Sequence, residues 1–178
     1  MITTGVIHFY PCYTEITLVQ GKLLAVVPRL STEWILKYSM NVKSLQTTVE
    51  YCNFVQLSLA NDFSGATYGS RVALLYLRAK GLEATFQIMI FASAINSATR
   101  YKEMSELPRV GEWEHYEFHQ RYVSGGDYRF FVKRNGEEVY SVINTDAQQF
   151  YDVKVWASNP SASACQADIR NLELTNFL

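Results

Sequence analysis

The run Glu112-Trp113-Glu114-His115-Tyr116-Glu117 holds the residue types that acid–base work on a glycosidic bond requires. Carboxyls at alternate positions of a strand face the same way, and retaining hydrolysis wants them about 5 to 5.5 Å apart. Glu112 and Glu114 alternate correctly, and Glu117 falls on the other face. Glu112 follows Gly111 at the mouth of the strand, a poor place to hold geometry, so the favoured reading is a solvent-facing acidic edge. His115 and His119 share a face, but four strand residues separate them by about 13 Å, too far to ligate one metal. Neither a Ser/His/Asp elbow, a Gly-rich phosphate loop nor a Cys/His nucleophile signature occurs.

Binding is carried by residues outside the core phase. Trp156 is out of register with Val153, Val155 and Ala157; Phe131 with Tyr128, Phe130 and Val132; Tyr140 with Val139. With Arg121, Arg129 and Lys154 beside them, such rings could stack a sugar or an apolar ligand, pack on another subunit, or form a buried second face. The segments 61–70 and 92–111 add Tyr68, Arg71, Arg100 and Tyr101, whose planar, hydrogen-bonding side chains suit polar ligands. The candidate ligand-binding set is therefore Tyr68, Arg71, Arg100, Tyr101, Phe131, Tyr140 and Trp156. Asp62, Asp127, Asp146 and Asp152 are dispersed, whereas a hard cation wants converging oxygens, so neither a metal nor a cofactor is expected.

The elements that must position these residues are strands. Trp34, Leu36, Tyr38, Met40 and Val42 alternate with Lys37, Ser39, Asn41 and Lys43. The same period runs through Val49, Tyr51, Val55, Leu57 and Leu59, through Tyr128, Phe130 and Val132, and through Val153, Val155 and Ala157. Residues 71–79 and 82–91 are more continuously apolar, as central strands covered on both faces would be. Asn135-Gly136 predicts a type I′ hairpin, Gly125-Gly126-Asp127 a second reversal, and 146–150 a short helical turn. The 178 residues, 48% hydrophobic and 14% aromatic, suit one all-β domain over 1–178, an antiparallel two-sheet sandwich with a closed barrel as its rival.

A net charge of -1 gives no field to recruit nucleic acid or anionic lipid, and no apolar run is long enough to span a bilayer. Three cysteines, Cys12, Cys52 and Cys165, allow one disulfide with a thiol left over, or three thiols. Cys52 reads as a buried thiol, and a Cys12–Cys165 staple would follow if the terminal strands pair. The N-terminus has no signal-peptide pattern.

From Trp113 to Leu174 the chain resembles the C-terminal half of concanavalin A-like jelly rolls, notably the laminin-G-like and pentraxin-like domains. The resemblance rests on Trp113-Glu-His, Asn135-Gly136, Val153-Lys-Val-Trp-Ala and Ile169-Arg-Asn-Leu172. It implies that Trp113 plugs the core and that Ile169 and Leu172 close a sheet. It also implies a secreted, non-catalytic lectin-like or adhesive module, with a glycan or extracellular protein held over one sheet. Two alternatives are a binder of an apolar small molecule or pigment, inside the sandwich or at a homo-oligomer seam, and a glycoside hydrolase using Glu112 and Glu114.

Overall fold

The computed structural model describes residues 4–8, 14–45, 50–59, 69–80, 85–91, 101–104 and 106–177. Among them are fourteen strands and no helix. One sheet contains β1 (Thr4–His8), β2 (Ile16–Thr17), β4 (Trp34–Val42), β9 (Trp113–Ser124), β10 (Asp127–Arg134), β11 (Glu137–Asn144) and β14 (Ala167–Phe177). Its order is β1-β14-β4-β9-β10-β11, with β2 on β14. The second sheet contains β3 (Lys22–Leu30), β5 (Tyr51–Ser58), β6 (Ala73–Lys80), β7 (Thr85–Phe91), β8 (Tyr101–Met104), β12 (Phe150–Ser158) and β13 (Ser163–Ala164). Its order is β3-β12-β5-β6-β7-β8, with β13 parallel to β5.

Alternation explains what lies between the sheets. Trp34, Leu36, Tyr38, Met40, Phe118, Phe130 and Val132 point inward from the first sheet, and Val27, Leu57, Leu75, Leu77, Val153 and Val155 from the second. All belong to one buried cluster. Each such side chain contributes about 1.5–3 kcal/mol on leaving water. Tyr38 lies between Tyr116 and Phe118 at ring distances of 6.1 and 6.0 Å. The rings that suggested an interior ligand thus pack one another.

The core tryptophan is Trp34, wholly buried and edge-on to Phe130 at 6.1 Å. Trp113, expected there, faces outward under the Arg170 guanidinium, 3.9 Å from its ring. The inward phase of β9 runs through Glu114, Tyr116, Phe118 and Gln120, so its neighbours are outward. Accordingly, Trp34→Ala should cost about 3–5 kcal/mol and Trp113→Ala about 1 kcal/mol in denaturant unfolding. Equal losses would reverse the register of β9.

Turns and bulges account for the remaining departures. Asn135 and Gly136 both have positive φ (51° and 87°), as the type I′ hairpin requires. A bulge in β14 at Asn171 (φ 54°) lets both Ile169 and Leu172 face inward despite their odd spacing. A bulge in β5 between Asn53 and Gln56 puts Phe54 and Val55 together in the core and Tyr51 outside, against simple alternation. Residues 146–149 are irregular and lead directly into β12, with no helical turn.

Cys52 is disulfide-bonded to Cys165, correcting both the buried-thiol reading and the Cys12–Cys165 staple; Cys12 lies outside the described residues. The bond ties β5 to the segment between β13 and β14 across 113 residues of sequence. For a loop of that order the chain-entropy account gives up to about 4.7 kcal/mol, with 2–4 kcal/mol typical. Reduction, or Cys52→Ala with Cys165→Ala, should lower the unfolding midpoint accordingly; an unchanged midpoint would mean the bond constrains nothing.

Candidate functional site

The outer face of the second sheet carries a dense polar set. On β5, Asn53, Gln56 and Ser58 point away from the core, yet each is fully buried. Asn53 Nδ2 donates to the carbonyls of Ala162 and Ser163 at 3.0 and 3.1 Å, and its Oδ1 accepts from Ser158 Oγ and from the Asn159 amide. Gln56 Nε2 donates to Ser70 O at 2.9 Å, and Asn159 Nδ2 donates to Gln56 Oε1 and to the Tyr76 hydroxyl. Trp156 Nε1 donates to Ser58 Oγ at 3.0 Å. Buried amides are costly unless satisfied, so this interlocked floor fixes what stands on it.

On that floor stands Arg78. The register sets Tyr51 opposite Arg78 and Asn53 opposite Tyr76. The Arg78 guanidinium lies 5.1 Å from the Tyr51 ring centre, and Tyr51 meets Tyr76 edge-on at 6.2 Å. Its Nη atoms reach Glu50 and Glu103 only at 3.7 and 3.8 Å, and its buried Nε has no hydrogen-bond partner. About a third of the side chain is open to solvent. A guanidinium held by a ring yet short of acceptors can take an incoming carboxylate as a fork.

The expected binding residues divide among several places. Trp156 is on this face, Arg71 is half-buried just before β6, and Tyr101 belongs to β8 in the same sheet. Tyr68 and Arg100 lie outside the described residues. Phe131 is on the outer face of the other sheet, stacked on His119 at 4.4 Å, with Arg129 and Lys133 over its ring. Tyr140 turns inward, edge-on to Phe130, because a bulge at Val132/Lys133 lets both Val139 and Tyr140 pack on the core. Phe131, Tyr140 and Trp156 therefore make no common platform. The sequence puts Tyr51 in the core phase of its strand and singles out neither Tyr76 nor Arg78, although these two stand two apart in an otherwise apolar run.

The Glu112/Glu114 pair is not a hydrolytic dyad. Glu114 is 2% exposed, accepting from Arg134 Nη2 at 2.6 Å, Tyr116 OH at 2.9 Å and the Arg109 amide at 3.2 Å. Burial would lower the Arg134 pKa, but the hydrogen bond and charge of Glu114 outweigh it and hold the guanidinium firmly protonated. Burial and the neighbouring Glu114 push the Tyr116 hydroxyl well above the usual range. Glu112 is exposed and pairs with Arg109 at 3.2 Å. A cavity of about 540 Å³ opens beside Glu114, bordered by Glu106, Arg109, Arg134 and Glu137.

His115 and His119 share the outer face of the first sheet, with Glu117 between them at 3.5 and 2.8 Å. Burial holds His119 below the usual imidazole range despite Glu117. No group of His, Cys, Asp or Glu among the described residues is arranged to hold a metal.

No protein-family model matches the chain, and neither does any curated protein sequence. Solved structures do. A serum-amyloid-P-like pentraxin from Limulus polyphemus superposes with a TM-score of 0.55 at 13% identity, covering 90% of this chain and 74% of its own. The fold is the concanavalin A-like jelly roll. An endo-β-1,4-glucuronan lyase from the fungus Trichoderma reesei superposes at 0.53 with 10% identity, over 99% of this chain and 81% of its own. An alginate lyase solved with an alginate tetrasaccharide gives 0.53 at 13% identity, over 92% and 80%. These likenesses overturn the expectation of a non-catalytic recognition module: polysaccharide lyases recur among the solved structures that share this fold, so the scaffold gives no ground for excluding an enzyme.

Proposed function

We propose that this concanavalin A-like chain is a carbohydrate-active enzyme that cleaves an acidic polysaccharide by β-elimination on the outer face of the second sheet. In such a step the C5–H bond of a uronate breaks, the C4–C5 double bond forms, and the C4–O bond to the leaving sugar breaks. The proton at C5 becomes acidic enough to remove only when the adjoining carboxylate is neutralised, because charge builds up there in the transition state. Arg78 is the group for that task, and its partner-poor guanidinium is the observation that carries the proposal. Tyr51, half-buried beneath Arg78, is the candidate for proton transfer at C5 and at the leaving oxygen. Tyr76, packed edge-on against Tyr51 and hydrogen-bonded by Asn159, positions that ring. The likeness to glucuronan and alginate lyases supports the same class of chemistry. A disulfide supports a place outside the reducing cytosol.

The test is incubation of the purified chain with a panel of uronate-containing polysaccharides, read by the ultraviolet absorbance of unsaturated uronate. A rise in absorbance that Tyr51→Phe removes is the expected result. Shortened polymer without that absorbance would make the enzyme a hydrolase, and intact polymer throughout would remove the proposal.

A further inference from the structure

On the outer face of the first sheet, away from Arg78, a serine, a histidine and a glutamate meet. Ser39 on β4 is in register with His115 on β9, and Glu117 follows two residues later on the same side. Ser39 Oγ lies 3.4 Å from His115 Nδ1, and His115 Nε2 lies 3.5 Å from Glu117 Oε1. One tautomer serves both contacts. With the proton on Nε2, that N–H faces the carboxylate and the Nδ1 lone pair faces the serine hydroxyl. Glu117 Oε2 accepts from His119 Nε2 at 2.8 Å and stands 3.9 Å from Lys37 Nζ. Burial would raise the Glu117 pKa, but the His119 hydrogen bond and the Lys37 charge outweigh it and hold the carboxyl below its ordinary range. A nucleophile, a base and an anion that orients the base thus stand in line. Ser39 and His115 are 76 residues apart, so no local motif announces them.

We propose that Ser39, His115 and Glu117 form a hydrolytic centre for short O-acyl esters, independent of the eliminative reading of the other face. The Ser39 Oγ–carbon bond forms as the hydroxyl proton passes to His115 Nδ1. The ester C–O bond then breaks, and His115 returns the proton to the departing alcohol. Water attacks the acyl-serine in the same way, releasing the carboxylic acid and restoring Ser39. The donor for the developing oxyanion is Arg170, in register with Ser39 from β14. Its guanidinium lies 3.9 Å from the Trp113 ring, and its Nη1 is 3.8 Å from Glu15, beyond hydrogen-bond reach. Lys37 and Asn41 flank Ser39 along β4, with Arg170 and His115 across from it, so no apolar bed awaits a long acyl chain.

The experiment follows hydrolysis of p-nitrophenyl acetate and p-nitrophenyl octanoate by the purified chain, and locates a fluorophosphonate label by peptide mass spectrometry. Acetate should be turned over with at least about ten times the kcat/KM of octanoate, and the label should fall on Ser39. Ser39→Ala and His115→Gln should each lower kcat/KM on acetate by at least about a hundredfold. Both should keep the melting temperature within about 4 °C, since each removes one partly exposed hydrogen bond. Glu117 is a positioning residue acting through His115, so Glu117→Gln should slow labelling of Ser39 about tenfold at an unchanged melting temperature. Undiminished acetate turnover in Ser39→Ala, a label on another residue, or neither turnover nor label would overturn the proposal, whatever happens to polysaccharide on the other face. Activity lost only in step with melting temperature would overturn it too, by making the Ser39–His115 contact a strand tie. Octanoate cleaved as well as acetate would overturn the short-acyl assignment.

Discussion

Replacing Arg78 by alanine is expected to lower kcat/KM on the cleaved polysaccharide by about a hundred- to a thousandfold, the loss typical of a donor aimed at developing charge. The melting temperature should stay within about 3 °C, because ion pairs of this exposure contribute about 0–1 kcal/mol and 1 kcal/mol moves a chain of this size by about 2–4 °C. Those two readings separate a site residue from a structural one. Its Nη contacts are long, its Nε has no partner, and its ring neighbour Tyr51 packs against Tyr76 independently. Arg78→Lys should recover only part of the rate, since an ammonium cannot offer the two parallel hydrogen bonds of a fork. Full activity in Arg78→Ala would detach the site from this residue. A large fall in melting temperature with a proportionate fall in activity would make Arg78 a folding residue.

The largest effect on stability is expected at the other charged pair. Arg134 and Glu114 are 8% and 2% exposed and 2.6 Å apart, and the guanidinium also donates to the carbonyls of Glu106 and Leu107 at 3.3 and 2.8 Å. This pair anchors the turn that carries the chain from β8 to β9. Arg134→Met strands a buried carboxylate and two backbone carbonyls, so it should cost about 3–5 kcal/mol. Arg134→Met with Glu114→Leu removes both charges and should recover much of that loss, because a buried pair is often no better than well-packed apolar residues. Denaturant unfolding of the two single variants and the double closes the cycle. Losses that simply add would mean the two side chains do not act together.

The sequence made the fold legible wherever one face of a strand goes to the core and the other to water. β4 alternates cleanly because Trp34, Leu36, Tyr38, Met40 and Val42 all reach the interior. Asn135-Gly136 announced its hairpin because few other residue pairs tolerate two positive φ values. Legibility failed where a bulge changes phase, as at Asn53–Gln56, at Val132/Lys133 and thus for Tyr140. It failed again for β9, where the family resemblance implied a buried Trp113 and the strand turns that ring outward. The inward Glu114 is tolerable only because of Arg134, twenty residues later in sequence, and no local pattern reports such a partner. The disulfide joins residues 113 apart, and the three cysteines alone could not choose it. The candidate site was partly legible: Trp156 marks the right face because its odd phase in β12 points it outward. Arg78 was hidden by the apolar run around it, since the sheet is buried on both sides at Leu74 and Tyr76. What marks Arg78 is an unpartnered Nε beside Tyr51 and Tyr76, a property of three dimensions.

Cleavage carried out in heavy-oxygen water, with the oligosaccharides analysed by mass spectrometry, addresses the eliminative mechanism most directly. Elimination adds no water across the broken bond, so the new non-reducing ends should be unsaturated and the new reducing ends unlabelled when trapped at once as oximes. Saturated ends with heavy oxygen at the cut would show hydrolysis and contradict the account.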